Sequence, residues 1–139
     1  MQPENVLVER LRRRAVEVAS SSYSPYSRFP VGAAVASRGG QIYVGCNVEN
    51  ASFGLTQCAE RAALTAAIAA GEQPGEMVCL VIYIPGDARH PPCGACRQVM
   101  RELMSDDSLV YSFGDGDDCR VWSANDYLPD PFTPDALLR

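Results

Sequence analysis

Cys58-Ala59-Glu60-Arg61-Ala62-Ala63-Leu64 running on to Ala70-Gly71, then Met77-Val78-Cys79-Leu80-Val81-Ile82-Tyr83-Ile84, then Pro92-Cys93-Gly94-Ala95-Cys96-Arg97, is the stretch on which the architecture turns. The first segment is rich in Ala and Leu and stops at Gly71, the pattern of a largely buried helix over 58–70 with a glycine beyond its C-terminus. The second is a continuous apolar, β-branched run, as in a central strand covered on both faces. The third opens another helix, 94–104, just after a proline. The unit reads helix, strand, helix, and each helix begins at a cysteine.

Outward from this unit, Leu7, Leu11, Ala15 and Val18 recur at helical spacing, so 4–20 reads as an amphipathic helix that the serines of 20–27 break. Residues 29–36 and 41–46 are short β-compatible runs joined by Arg38-Gly39-Gly40, a hairpin signal. The polar stretch 47–57 reads as an irregular loop. Downstream, 108–113 and 119–122 flank Gly114-Asp115-Gly116-Asp117-Asp118 and predict a second hairpin, followed by a Pro-punctuated tail, 127–139, with one short helical turn. The order ββ, α, β, α, ββ after the first helix implies an α/β sheet with helices packed on it. A length of 139 residues suits one domain spanning 1–139.

Composition narrows the function classes. No apolar stretch reaches the roughly 20 residues of a membrane helix, and the charged start lacks the apolar core of a signal peptide, so a cytoplasmic protein is expected. Six cysteines are then ligands or buried thiols rather than a disulfide framework. The net charge of −5 argues against nucleic acid as a partner. All 12 basic residues are Arg, which excludes lysine Schiff-base chemistry and a P-loop lysine. Arg10, Arg13 and Arg14 share a helix face and read as a solvated or interface surface.

The chemistry concentrates in the thiols. Cys58, Cys93 and Cys96 can hold one zinc through three protein ligands and leave a fourth tetrahedral position for a reacting group. Both helix starts offer unpaired N–H groups that favour thiolates. Glu60, on the same first turn as Cys58, is the candidate catalytic residue for proton transfer. Three thiolates around Zn²⁺ carry a formal charge of −1, and Arg61 and Arg97 are candidates to offset it by donating to the sulfurs from behind. Asn47 and Glu49, two apart on an extended segment, point the same way, but read alone they fit a plain strand-end loop.

Several blocks in register together resemble one family. Cys58-Ala59-Glu60-Arg61 and Pro92-Cys93-Gly94-Ala95-Cys96-Arg97-Gln98 are joined by Tyr23-Ser24-Pro25-Tyr26-Ser27, Phe29-Pro30-Val31-Gly32-Ala33-Ala34, Gly45-Cys46-Asn47-Val48-Glu49-Asn50-Ala51-Ser52, and Leu128-Pro129 with Phe132 and Pro134. This set is similar to the small, homotetrameric cytidine deaminases of the three-cysteine zinc type, over about 23–137. The resemblance implies a three-layer α/β fold, a five-stranded mixed sheet with helices on both faces. It implies one Zn²⁺ per subunit and hydrolytic deamination of cytidine and 2′-deoxycytidine in pyrimidine salvage. It also implies Phe29, Asn47, Glu49 and Ala59 as substrate-binding residues, with Phe132 and Phe53 as contacts from a neighbouring subunit of a homotetramer. Phe53 stands where the family often has Tyr, and Gln57 where an apolar residue is common.

Other readings have their own signatures. A structural zinc module would need a fourth ligand and no role for Glu60. A polynucleotide deaminase would need a basic, aromatic-lined channel. A deaminase of a cytosine-bearing antibiotic such as blasticidin S shares the cysteine blocks, but Asn47-Val48-Glu49 favours a free nucleoside. His90 reads as a loop residue outside the metal set, Cys46, Cys79 and Cys119 as buried thiols, and Trp122 as packing.

Overall fold

The computed structural model describes residues 3–138. Helix α1 (Pro3–Ala19) leads into strands β1 (Gly32–Ser37) and β2 (Ile42–Cys46), then α2 (Ala59–Ala69), β3 (Met77–Tyr83), α3 (Gly94–Leu103), β4 (Met104–Phe113), β5 (Cys119–Ser123) and a single turn of helix, α4 (Ala124–Tyr127). The strands form one sheet in the order β2-β1-β3-β4-β5. Only the β3–β4 pair is parallel; β1–β2, β1–β3 and β4–β5 are antiparallel, so the sheet is mixed. A parallel pair needs a crossover, and α3 supplies it.

Alternation along the central strands sorts the core into two layers. Ala33 and Val35 of β1 and Leu80 and Ile82 of β3 face α2 and α3, packing with Ala63, Leu64, Ala67 and Met100. Ala34 and Ala36, with Cys79, Val81 and Tyr83, face the other way, onto Leu11 and Ala15 of α1. Every β1 residue is buried, as a strand covered on both faces requires. The small residues there let helices approach closely. A Cβ at Gly32 would lie 2.0 Å from the Ala15 carbonyl oxygen, and one at Gly45 2.5 Å from the Ala63 amide nitrogen and 2.7 Å from the Ala59 carbonyl oxygen.

The sequence reading and the structure differ at the start of β4 and in the 47–57 segment. β4 begins at Met104 rather than 108, because α3 ends directly in a strand whose first pairing, Met77 with Met104, precedes a register shift. The 47–57 segment is more ordered than a plain loop: Val48 bridges both Tyr23 and Gln57, and Phe53–Leu55 forms a 3-10 turn. Arg10, Arg13 and Arg14 share a face as expected, lining a shallow groove with Glu17, while Arg12 points away from it, donating to the Gly114 and Gly116 carbonyls with its guanidinium 4.3 Å from the Phe113 ring centroid.

One polar anchor joins the β4–β5 turn to the loop after β3. Asp115 accepts from the Tyr83 hydroxyl at 2.5 Å and the Gly86 amide at 2.8 Å, and its own amide donates back to the Gly86 carbonyl at 2.7 Å. The Tyr83 hydroxyl, with the Gly86 amide, holds the Asp115 carboxyl below the ordinary aspartate range. A depressed folded-state pKa contributes stability above the unfolded value of about 3.9, and that contribution is lost as pH falls through the folded value. Asp115→Asn should therefore lower stability near neutral pH and flatten the acid limb of a stability–pH curve between about pH 5 and 2, read by urea denaturation. Gly45→Ala should cost about 1–3 kcal/mol by forcing α2 off β2, measured the same way.

Candidate active site

Two helix starts meet at one end of the sheet. Cys58 is the extended residue before α2 (φ −75°, ψ 152°), and Cys93 holds the same position before α3 (φ −67°, ψ 164°), with its Sγ accepting from the Cys96 amide. Pro92 precedes it, fixing the approach of the chain. The three sulfurs lie within 4.8 Å of one another, with Cys58 to Cys93 at 3.9 Å and Cys93 to Cys96 at 3.3 Å. A zinc bonded at about 2.3 Å with tetrahedral angles sets its sulfur ligands about 3.8 Å apart, so the triad fits that ion. Among the described residues no fourth His, Cys, Asp or Glu joins the group. Three donors are one short of a closed structural set, which disfavours the structural zinc module.

Arg61 sits one turn into α2 and donates from Nη2 to Cys58 Sγ at 3.1 Å. The Cys96 thiol and then the Arg61 guanidinium draw the Cys58 thiol down to about 5. Cys96 is pushed up by that same hydrogen bond to Cys58 and by its burial. Arg97 does otherwise: its Nε donates to the Pro92 carbonyl at 2.9 Å and its Nη1 to the Tyr127 carbonyl at 3.2 Å. It clamps the backbone before Cys93 to the C-terminal segment and does not donate to the sulfurs, because the adjacent ligand Cys96 points to the core side of α3 while Arg97 turns toward the tail. Arg101 and Gln98 extend the clamp to the Leu128 and Phe132 carbonyls.

Glu60 is only 6% exposed. Burial pushes its carboxyl above the ordinary glutamate range, and the neighbouring Cys58 adds to the shift. It opens onto a cavity of about 300 Å³ whose floor is Cys58, Ala59, Glu60 and Cys93. Val31, Ile82, Ile84 and Pro91 make the apolar wall, and Asn47, Glu49, Ser27 and Thr56 the polar one. Phe29 and His90 close the rim edge to face, with ring centroids 5.1 Å apart at 80°. The Ala59 amide is one of the helix-start N–H groups without an intrahelical partner.

The sequence pairing of Asn47 with Glu49 holds in space, since both line the cavity while Val48 between them is 46% exposed. Their hydrogen bonds add a role that spacing alone did not reveal. Asn47 Oδ1 accepts from the Val31 amide at 2.9 Å and from the Ser22 hydroxyl, and Nδ2 donates to the Phe29 carbonyl at 2.8 Å. This fastens the segment that carries Phe29 and leaves one Nδ2 hydrogen for another partner. Glu49 accepts from the Ser27 hydroxyl and from the Tyr26 and Ser27 amides at 3.0 and 3.2 Å. The Ser27 hydroxyl foremost, then those amides, holds its carboxyl below the ordinary range. Between them Arg28 has φ +55°, a left-handed conformation that turns Ser27 to Glu49 and Phe29 to the rim.

Phe53 and Phe132 do not line this cavity; they are 73% and 62% exposed. Phe53 packs edge-on to Tyr26, 5.6 Å between centroids, beside a shallower groove that shares Ser27, Glu49 and Thr56 with the cavity. His90, read from sequence as a bland loop residue, belongs to the rim. The flanking prolines hid it, since they mark a loop without saying which way the ring points.

Comparison with known proteins follows the same residues. Residues 6–112 match the family model described as the cytidine and deoxycytidylate deaminase zinc-binding region. The chain is 40% identical over 127 residues to a cytidine deaminase of Halalkalibacterium halodurans, covering 91% of this chain and 95% of that one. It is 40% identical over 129 residues to a cytidine deaminase of Mycobacterium tuberculosis, covering 93% and 92%. Among solved structures, the cytidine deaminase from Burkholderia pseudomallei superposes with a TM-score of 0.84 at 45% identity, covering 95% of this chain and 100% of that one. With the three sulfurs, the buried glutamate and the mixed five-stranded sheet already in place, the chain belongs to the cytidine and deoxycytidylate deaminase family.

Proposed function

We propose that this protein hydrolyses the exocyclic C–N bond of cytidine and 2′-deoxycytidine, giving uridine or 2′-deoxyuridine and ammonia. The observation that carries the reading is a buried Glu60 carboxyl next to three sulfurs spaced for one zinc, at the floor of a cavity large enough for one small ligand. When bound by Cys58, Cys93 and Cys96, zinc supplies Lewis-acid activation of the attacking water. Glu60 moves the protons: its carboxylate takes one from the attacking water and hands it to pyrimidine N3 as C4 is attacked, then takes the second as the new hydroxyl becomes the C4 carbonyl and delivers it to the departing amine. The Arg61 donor on Cys58 offsets part of the thiolate charge, which would otherwise make the water harder to ionise. Phe29 supplies a ring for the base, the Ala59 amide a donor for pyrimidine O2, and Glu49 with the spare Asn47 hydrogen the partners for a sugar diol.

The reading extends to a homotetramer in which Phe53 and Phe132 complete a neighbouring subunit's cavity; their exposure supports it. It also takes 1–139 as one domain acting in pyrimidine salvage in the cytoplasm. All six cysteines are free, as a reducing compartment favours. No described helix is long and apolar enough to cross a membrane. A cavity lined by two carboxylates and a net charge of −5 suit a neutral nucleoside and disfavour a nucleic acid. Deamination of an antibiotic such as blasticidin S is not favoured, since the relatives of about 40% identity are cytidine deaminases.

The direct test follows the loss of cytidine absorbance with zinc-quantified protein, with CMP and blasticidin S as comparison substrates. Turnover of cytidine and deoxycytidine is expected; none with stoichiometric zinc would overturn the reading. Glu60→Gln should retain zinc and lose activity by a factor of at least about 100–10,000. Arg61→Gln should weaken zinc binding about 10–100-fold in a chelator competition, because Cys58 loses its donor.

A further inference from the structure

We propose that Arg97 is a positioning residue of the metal centre: by joining the Pro92 and Tyr127 carbonyls it fixes the backbone on which Cys93 stands, and it makes the C-terminal segment part of the scaffold that sets metal affinity. The inference rests on the reading of Cys58, Cys93 and Cys96 as a zinc site. Of the three thiols, Cys93 alone is exposed. Cys96 lies within α3, and Cys58 directly follows the bridge between Val48 and Gln57. Cys93 instead ends an irregular stretch, 84–93. The two residues before it, Pro91 and Pro92, have no N–H, so the chain there is held through its carbonyls.

Arg97 takes both carbonyls that flank Cys93. Its Nε donates to the Pro92 carbonyl at 2.9 Å, and its own amide donates to the Cys93 carbonyl at 3.0 Å. Peptide groups are planar, so holding these two oxygens orients both planes that meet at the Cys93 Cα and keeps its φ of −67° and ψ of 164°. The direction in which Sγ leaves the backbone follows from them. Such a hold is only as firm as the far end of the guanidinium, where Nη1 donates to the Tyr127 carbonyl at 3.2 Å. That end is well anchored. The Tyr127 side chain is buried in the main core, and the turn of helix it closes is pinned by a capping box between Ser123 and Asp126. Gln98 and Arg101 add bonds to the Phe132 and Leu128 carbonyls at 2.9 and 3.2 Å, so α3 and the segment 127–132 form one connected unit. A planar guanidinium, with its donors in a fixed fork, can set the separation of two carbonyls; an ammonium on a flexible stem cannot.

The experiment measures zinc affinity by chelator competition for the wild type, Arg97→Gln and Arg97→Lys, with urea denaturation of the metal-free proteins alongside. Both variants should bind zinc about 10–100-fold more weakly, as when the support of a ligand is lost. Arg97→Lys keeps the positive charge near the thiols, so wild-type affinity in that variant would overturn the bridging role in favour of charge. Should Arg97→Gln not fold, Arg97→Lys decides the matter by the same criterion. Unchanged affinity in Arg97→Gln, with a loss only in the stability of the metal-free fold, would make the contact merely structural and overturn the proposal as well. Linkage gives a second readout: a tail that steadies the bound metal must itself be steadied by it. Hydrogen exchange of the backbone amides in 127–133 should slow on zinc loading of the wild type and respond far less in zinc-saturated Arg97→Gln. Exchange in the wild type that is indifferent to zinc would overturn the coupling. A wild type that takes up no zinc overturns the metal reading and this proposal together, whereas zinc-loaded protein that turns over no cytidine overturns the deaminase reading alone.

Discussion

Two helix N-termini must arrive at one point, and nearly everything else in the molecule serves that convergence. Cys58 and Cys93 are the last extended residues before α2 and α3, and their sulfurs are 3.9 Å apart. Thiolates so close repel, and the arrangement is tolerable because each lies at the positive end of a helix, with Arg61 donating to one of them. Between the helices runs β3, whose pairing with both β1 and β4 fixes where the two helices begin. Glycine at 45 is then a geometric necessity, since any Cβ there would push the start of α2 away from the sheet and carry Cys58 with it.

Opposite electrostatic tendencies coexist within three residues. Cys58 is drawn toward its anion and Glu60 toward its neutral acid, although both belong to the same helix start. Hydrogen-bond donors decide the first and loss of water decides the second. A carboxyl whose proton affinity is raised by burial is suited to take up and give back a proton in one catalytic cycle. Neighbouring groups with separated proton affinities, rather than any one unusual residue, give the site its chemistry.

Much of this was legible in the sequence where periodicity or spacing carried it. The helix at 4–20, the hairpin at 29–46 and the central strand at 77–84 stand within a few residues of expectation, because their apolar positions must meet the two faces of the sheet. The early start of β4 was hidden by Asp106 and Asp107, which break the apolar pattern while their neighbours Met104 and Ser105 are buried in the strand. Arg61 and Arg97 look alike in sequence, each one residue after a site residue, yet one reaches sulfur and the other two backbone carbonyls. Adjacency along a chain does not encode which face of a helix the next residue takes. The dual use of Asn47, lining the cavity while holding residues 29 and 31, was likewise invisible, since it depends on a segment folding back from elsewhere.

The crossover that separates the metal donors has a consequence for how the protein is made. With α2 and β3 complete, a growing chain presents one donor of the triad, and one thiol has little hold on a metal ion. Cys93 and Cys96 emerge later, on α3, just ahead of the strand that gives β3 its parallel partner. The three-donor set therefore exists only once segments 35 residues apart in the chain have met, which ties metal capture to a non-local contact.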